Sequence, residues 1–266
     1  MIKDITLGQY YRTESCIHKL DPRTKIIGTF LYIISLFVVD NLIGYLLAAA
    51  FLLLCISLSR VPLKFIVRGM KSIVFLLIIA AVFNVLLTPG EAVFNWWKIT
   101  ITKEGIEMAI KMSVRLMFLI LGSSIMTLTT TPNNLTDGLE SVMKPLKIFK
   151  VPVHEIAMMM TIALRFIPIL LEETDRIMKA QMARGVDFES GGLIKKAKSL
   201  VPLLVPLFVS AFRRANDLAM AMESRCYRGG EGRTKMKPLK FRRRDFISFG
   251  LLIIYFALIV LIRKML

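Results

Sequence analysis

Five long apolar runs constrain this chain more than any other feature: roughly Ile26 to Val39, Leu42 to Leu58, Ile73 to Leu87, Met108 to Leu128 and Phe246 to Ile262. A helix needs about 20 mostly apolar residues to cross the hydrocarbon of a bilayer, and the first and third runs reach that length only with their flanks. The expected fold is an all-α integral membrane protein with about five transmembrane helices. Composition agrees. At 55% hydrophobic and a mean hydropathy of +0.63 the chain is too apolar for an ordinary soluble domain, yet its 21% charged residues require a large polar part as well.

Charge placement orients the runs. Lys and Arg total 36 against 19 Asp and Glu, a net +17. In a nucleic-acid binder such an excess would form a patch interleaved with aromatics on a soluble fold. Here it lies mostly between apolar runs, which points to membrane lipid headgroups and away from nucleic acid. Lys19, Arg23 and Lys25 precede the first run; Arg60, Lys64, Arg68 and Lys71 separate the second and third; Lys144, Lys147 and Lys150 follow the fourth. The Asp40-Asn41 turn has no basic residue, and the stretch from Glu91 to Glu104 is charge-balanced. By the positive-inside rule the N-terminus and everything following the fourth run are cytoplasmic. Residues 1–25 read as a cytoplasmic arm without the apolar core of a cleavable signal peptide. Residues 26–129 then form a four-helix transmembrane region. Arg242, Arg243 and Arg244 anchor the start of a last transmembrane helix, 241–266, on the cytoplasmic side; this outweighs Arg263-Lys264 at its far end.

Between these regions, residues 130–240 read as a cytoplasmic or interfacial helical module. TTTPNNLTDGLESVMKPLK opens on turn chemistry and continues with Leu135, Leu139, Val142 and Leu146 at helical spacing. Two similar helical segments follow, Pro168 to Arg184 and Pro206 to Arg225, each with a proline near its start and an arginine near its end. At 1.5 Å per residue they would be about 25 and 30 Å long. The apolar stretches before them are short and interrupted by Arg165, Pro168, Pro202 and Pro206. Such lengths suit helices lying against the membrane, with a re-entrant or spanning hairpin as the alternative.

Little in the chain points to catalysis or to a bound cofactor or metal. Cys16, Cys55 and Cys226 are far apart and in no ligand spacing, and Gly229 to Lys235 lacks the spacing of a nucleotide-binding loop. His18 and His154 stand apart from any nucleophile and read as structural. Met158, Met159 and Met160 read as adaptable packing. Glu107, Lys111 and Arg115 fall on one helix face and read as an ion-pair face, with Arg115 snorkelling toward the headgroups.

The two arginine ends are the informative feature. Either arginine alone would be a cation opposing the negative end of a helix dipole. Superposing Arg184 on Arg225 also matches Ala180 with Ala221, Met182 with Glu223, Ala183 with Ser224 and Gly185 with Cys226, so each guanidinium stands between small residues. Small neighbours admit a close partner surface, and the planar fork of arginine suits bidentate bonds to carboxylates. Two such tips suit a partner with two equivalent grooves, such as a two-fold dimer.

Together, the tips MARG and ESRC, the opening GQYYRTESCIHKLDPRTK, the stretch TPNNLTDGLESVMKPLK and the run ALRFIPILLEETDRIMKAQMARGVDF resemble the transmembrane T component of energy-coupling-factor transporters over nearly the whole chain. The resemblance implies a non-catalytic membrane scaffold. Its coupling helices would insert Ala183-Arg184-Gly185 and Ser224-Arg225-Cys226 into grooves on two ABC-type ATPase subunits, and other parts would cradle a small membrane subunit that binds a vitamin or other micronutrient. The second tip departs from Ala-Arg-Gly at both flanks but keeps them small. Rival readings are a stand-alone channel or secondary carrier, opposed by the lack of midplane polar residues and of an inverted repeat, and an integral-membrane enzyme, for which no clustered catalytic groups are found.

Overall fold

The computed structural model describes residues 10–96, 99–188, 192–230, 232, 236 and 238–265. Residues 1–9 of the expected arm, and parts of Gly229 to Lys235, lie outside them. Eight α-helices follow in order among the described residues: α1 (Pro22–Val38), α2 (Leu42–Ser59), α3 (Leu63–Leu87), α4 (Lys103–Thr129), α5 (Pro132–Met143), α6 (Val153–Ala183), α7 (Leu193–Glu223) and α8 (Arg243–Met265). A 3-10 turn, Lys144–Phe149, follows α5. The all-α membrane fold stands, with one small addition. Where a plain loop was expected, β1 (Ala92–Trp96) pairs antiparallel with β2 (Ile99–Thr102) between α3 and α4. Thr102 closes this hairpin onto α4: its Oγ1 accepts from Gly105 N at 3.1 Å and donates to the Thr88 carbonyl at 2.8 Å.

The chain divides into two compact units, residues 10–142 with 239–265, and residues 143–238. In the first, α1, α2, α4 and α8 surround a core of Tyr32, Leu36, Ala48, Leu52, Ile125, Tyr255 and Ile259. Phe51 and Tyr255 stack with ring centroids 4.3 Å apart, and the Ser35 hydroxyl bonds the Tyr255 phenol at 2.8 Å. Gly122 lets α4 approach α1, because a β-carbon there would lie 2.7 Å from Tyr32 Cε1. The outer faces are apolar. Leu42, Leu46 and Leu53 on α2, Phe75 and Leu87 on α3, and Phe246 and Ile253 on α8 are all more than 60% exposed, a surface suited to lipid or to another apolar membrane-embedded face.

The LDPRTK stretch makes the joint between α1 and α8. Asp21 caps α1, accepting from Arg23 N at 2.9 Å, and Pro22 takes the first helical position, where its missing N–H costs nothing. The carboxylate of Asp245, buried at the start of α8, accepts from Asp21 N at 2.8 Å and Thr24 Oγ1 at 3.3 Å with one oxygen, and from Arg242 N at 2.7 Å with the other. Arg23 completes the joint by donating to the Leu239 carbonyl at 2.7 Å and lying over the Phe241 ring.

The polar positions expected to form one face of α4 divide. Glu107 and Lys111 pair at 2.7 Å, as their spacing predicts. Arg115 does not snorkel; it turns into the α1–α2 connection, donating to the Val39 carbonyl at 3.0 Å and to Tyr45 Oη at 3.2 Å, with Asp40 at 3.6 Å. Carbonyls left free at the end of α1 supply a closer acceptor than the headgroups do.

In the second unit the helices are longer than the sequence suggested. Pro168 lies inside α6, and Pro202 and Pro206 lie inside α7; none marks a helix start. Each helix has 31 residues, about 46 Å, in place of the expected 25 and 30 Å. Proline in a helix interior removes the bond to the carbonyl four residues earlier. At Pro206 that carbonyl belongs to Pro202, and Gln181 Nε2 on α6 donates to it at 3.2 Å, so packing supplies the partner that the backbone lacks. The length argument against a crossing therefore fails for α6. With α2, α4 and α8 it is one of four described helices long and apolar enough to span a bilayer, whereas the apolar part of α3, Ile73–Leu87, is shorter.

Candidate functional site

Helices α6 and α7 form an antiparallel pair. Gln181 meets Pro202, the Glu173 carboxylate accepts from Ser210 Oγ at 2.6 Å and from Arg214 at 2.6 Å, and the Tyr227 hydroxyl reaches Met158 Sδ at 3.1 Å. Residue numbers fall along one helix as they rise along the other. Arg184 therefore stands at the end of the pair where α6 turns into α7, and Arg225 stands beside the start of α6. Met158 and Gln181 are 23 positions apart, a rise of about 35 Å along α6, so the two arginines occupy opposite ends of a long pair of rods.

Their local geometry is the same. After α6, Val186 N donates to the Gln181 carbonyl at 3.0 Å and Gly185 N to the Met182 carbonyl at 3.0 Å. After α7, Tyr227 N donates to the Met222 carbonyl at 3.0 Å and Cys226 N to the Glu223 carbonyl at 2.8 Å. Each pair is the six-to-one and five-to-two closure of a Schellman cap, with the arginine at the C-cap and the next residue in the left-handed region. Gly185 has φ +86° and Cys226 φ +55°. Conformation thus accounts for Gly185, whereas Cys226 holds the same position against its own preference. A β-carbon at Gly185 would meet nothing within 4 Å, so only its positive φ calls for glycine inside the chain.

Both tips are open. Ala183, Arg184, Gly185, Ser224, Arg225 and Cys226 are exposed, and neither guanidinium has an ion-pair or hydrogen-bond partner among the described residues. Arginine near a helix C-terminus is favoured by the dipole, but that effect needs no repeated backbone motif. The structure brings the members of each triplet together and separates the two triplets.

Other polar positions are used internally. His18 accepts from Ser15 Oγ at Nδ1, 2.7 Å away, and donates from Nε2 to the Tyr11 carbonyl at 3.0 Å. The carbonyl can only accept, which places a proton on Nε2. Burial holds His18 below its usual pKa; the Tyr11 carbonyl opposes this and the nearby Lys25 charge adds to it. Met158 serves as the acceptor for Tyr227. Met159 is exposed, as is the apolar stripe Val201, Leu204, Val205, Phe208 and Phe212 along α7, which the sequence reading did not single out. Its spacing of three and four was legible, but Pro202 and Pro206 obscured it. No group of three or more His, Cys, Asp or Glu is placed to hold a metal ion among the described residues.

Comparison with known proteins agrees with this architecture. Residues 13–236 match the CbiQ family, described as cobalt transport protein. A protein of Ruminiclostridium cellulolyticum is 52% identical over 261 residues, 98% of each chain. One of Acidaminococcus fermentans is 50% identical over 263 residues, 99% of this chain and 98% of its own. One of Bacillus subtilis is 46% identical over 264 residues, 99% of this chain and all of its own. Each of the three is named energy-coupling factor transporter transmembrane protein EcfT. Apolar helices that fit a bilayer, a helix pair with matched arginine ends, and end-to-end similarity to these transporters agree: the chain belongs to the CbiQ family and is a transmembrane component of the energy-coupling-factor type.

Proposed function

We propose that this chain is the non-catalytic scaffold of an importer, coupling two ABC-type ATPase subunits to a small membrane subunit that binds a vitamin or other micronutrient. The observation that carries this reading is the pair of helix ends with the same backbone closure, each exposing an arginine without a partner among the described residues, about 35 Å apart along one helix pair. That separation supports engagement of two grooves on two subunits.

The mechanism is mechanical. ATP binding draws the two ATPases together and changes the separation of their grooves. The docked ends follow, and the helix pair redirects the motion. Internal ties suit this use, since the bonds of Glu173 to Ser210 and Arg214 hold the rods at mid-length while the tips remain open. The apolar stripe of α7 suits contact with the substrate-binding membrane subunit, because a contiguous exposed apolar face on a helix favours association. Each arginine-carboxylate contact contributes about 1.5–3 kcal/mol. Cargo recognition then belongs to the separate subunit. In the cell membrane, the N-terminus and the coupling helices face the cytoplasm, in accord with the lysine and arginine distribution.

Co-expression with the ATPases tests docking. Losing one desolvated arginine contact costs about 2–5 kcal/mol, or roughly thirty- to several-thousand-fold in affinity. Arg184→Glu or Arg225→Glu alone should weaken co-purification, and the double variant should abolish it. Recovery of both ATPases with the double variant, together with ATP-driven uptake, would show that the tips do not dock.

A further inference from the structure

We propose that the cavity between α1, α2, α4 and α8 binds the acyl chain of an anionic phospholipid. The cavity has a volume of about 150 Å³ and is walled mainly by apolar side chains, among them Phe51, Leu52, Ile125 and Leu252. An apolar cavity of about that size stays dry and admits a benzene-sized group, which corresponds to a segment of about six chain carbons. Leu54, Leu58 and Leu251 also line it and are 49%, 45% and 50% exposed, so it communicates with the lipid-facing surface.

Two observations point to a phospholipid in place of an empty packing defect. Tyr32 lines the cavity, is 4% exposed, and its phenol oxygen has no hydrogen-bond partner among the described residues. A buried hydroxyl without a partner is costly, and aromatic side chains on helices lean toward the helix N-terminus, here the end of the cavity where Thr24 and Lys25 lie. An ester carbonyl at the head of an acyl chain would supply the missing acceptor there. Charge follows the same direction: Ser248, Leu251 and Leu252 line the cavity, and Arg244, exposed, precedes Ser248 by one turn on the same face of α8. A cation followed by apolar residues complements an anionic headgroup followed by its chain.

Photocross-linking in nanodiscs tests the assignment with the full chain. The probes are phosphatidylglycerol and phosphatidylcholine carrying a diazirine in one acyl chain, with labelled peptides identified by mass spectrometry. Phosphatidylglycerol should label residues 51–58 of α2 and 122–129 of α4 about fivefold more than phosphatidylcholine, the preference expected for one cation at the headgroup layer. Arg244→Gln, an exposed change, should abolish that preference. Cys55→Phe, which fills the cavity, should abolish labelling of both segments while the outer face of α3 stays labelled. Equal labelling by the two lipids, or labelling confined to outer faces in the wild-type chain, would overturn the proposal; the Arg244 variant keeps it testable should the Cys55 variant not fold.

Discussion

Gly185 and Cys226 occupy the same left-handed position after the two arginines, and they differ in what it costs them to be there. Glycine has no β-carbon to clash with the following carbonyl, whereas an L-residue in that region is disfavoured by about 1 kcal/mol or more. Replacing Cys226 with glycine should tighten the end of α7, and Gly185→Ala should loosen the end of α6. Hydrogen exchange at Tyr227 N and Val186 N, the donors of the six-to-one bonds, reads this directly: slower exchange is expected in the first variant and faster in the second. The repeat of small-Arg-small was visible in the sequence because both copies are local. Asp245 was not, because the donors it serves, Asp21 N and Thr24 Oγ1, lie more than 200 positions away. His18 gives a second prediction at this scale. Its folded pKa lies below the unfolded value near 6.5, so between the two the unfolded chain holds the extra proton and stability rises with pH. Acidification through that window should therefore destabilise the segment from Tyr11 to His18. His18→Gln should flatten the dependence, as measured by protease sensitivity of the segment against pH.

At the scale of elements, prolines are the instructive case. Read locally, Pro168 and Pro206 mark helix starts, since their missing N–H costs least in the first turn. Tertiary contact overrides this, and the Gln181 amide taking the Pro202 carbonyl is its visible cause at Pro206. Gln181→Leu removes that donor and should lower stability by about 1 kcal/mol, or about 2–4 °C in the thermal midpoint of the solubilised chain. Gln181→Lys, which retains a donor, should lose less. The apolar runs placed α2, α4 and α8 well, because a hydrocarbon environment imposes length and composition together. The starts of α3 and α4 were less legible: the basic stretch from Arg60 to Lys71 continues into α3, and Thr102 caps α4 through a hairpin rather than a plain loop.

At the scale of the whole molecule, the function proposed depends on two ends of one antiparallel helix pair meeting two different subunits. The antiparallel order was not legible in the sequence, since it rests on contacts between distant residues: Glu173 with Arg214, the Gln181 amide with the Pro202 carbonyl, and Tyr227, just past α7, with Met158. It sets a repeated motif at opposite ends of a rod pair, as the proposed docking to two subunits requires. A photoreactive amino acid placed singly at Ala183 and at Ser224, both exposed, tests this in the intact complex with its ATPases and membrane subunit. Each position is predicted to cross-link an ATPase, and the two positions to cross-link different subunits of the ATPase pair. Cross-links from either position only to lipid or to the substrate-binding membrane subunit would contradict it.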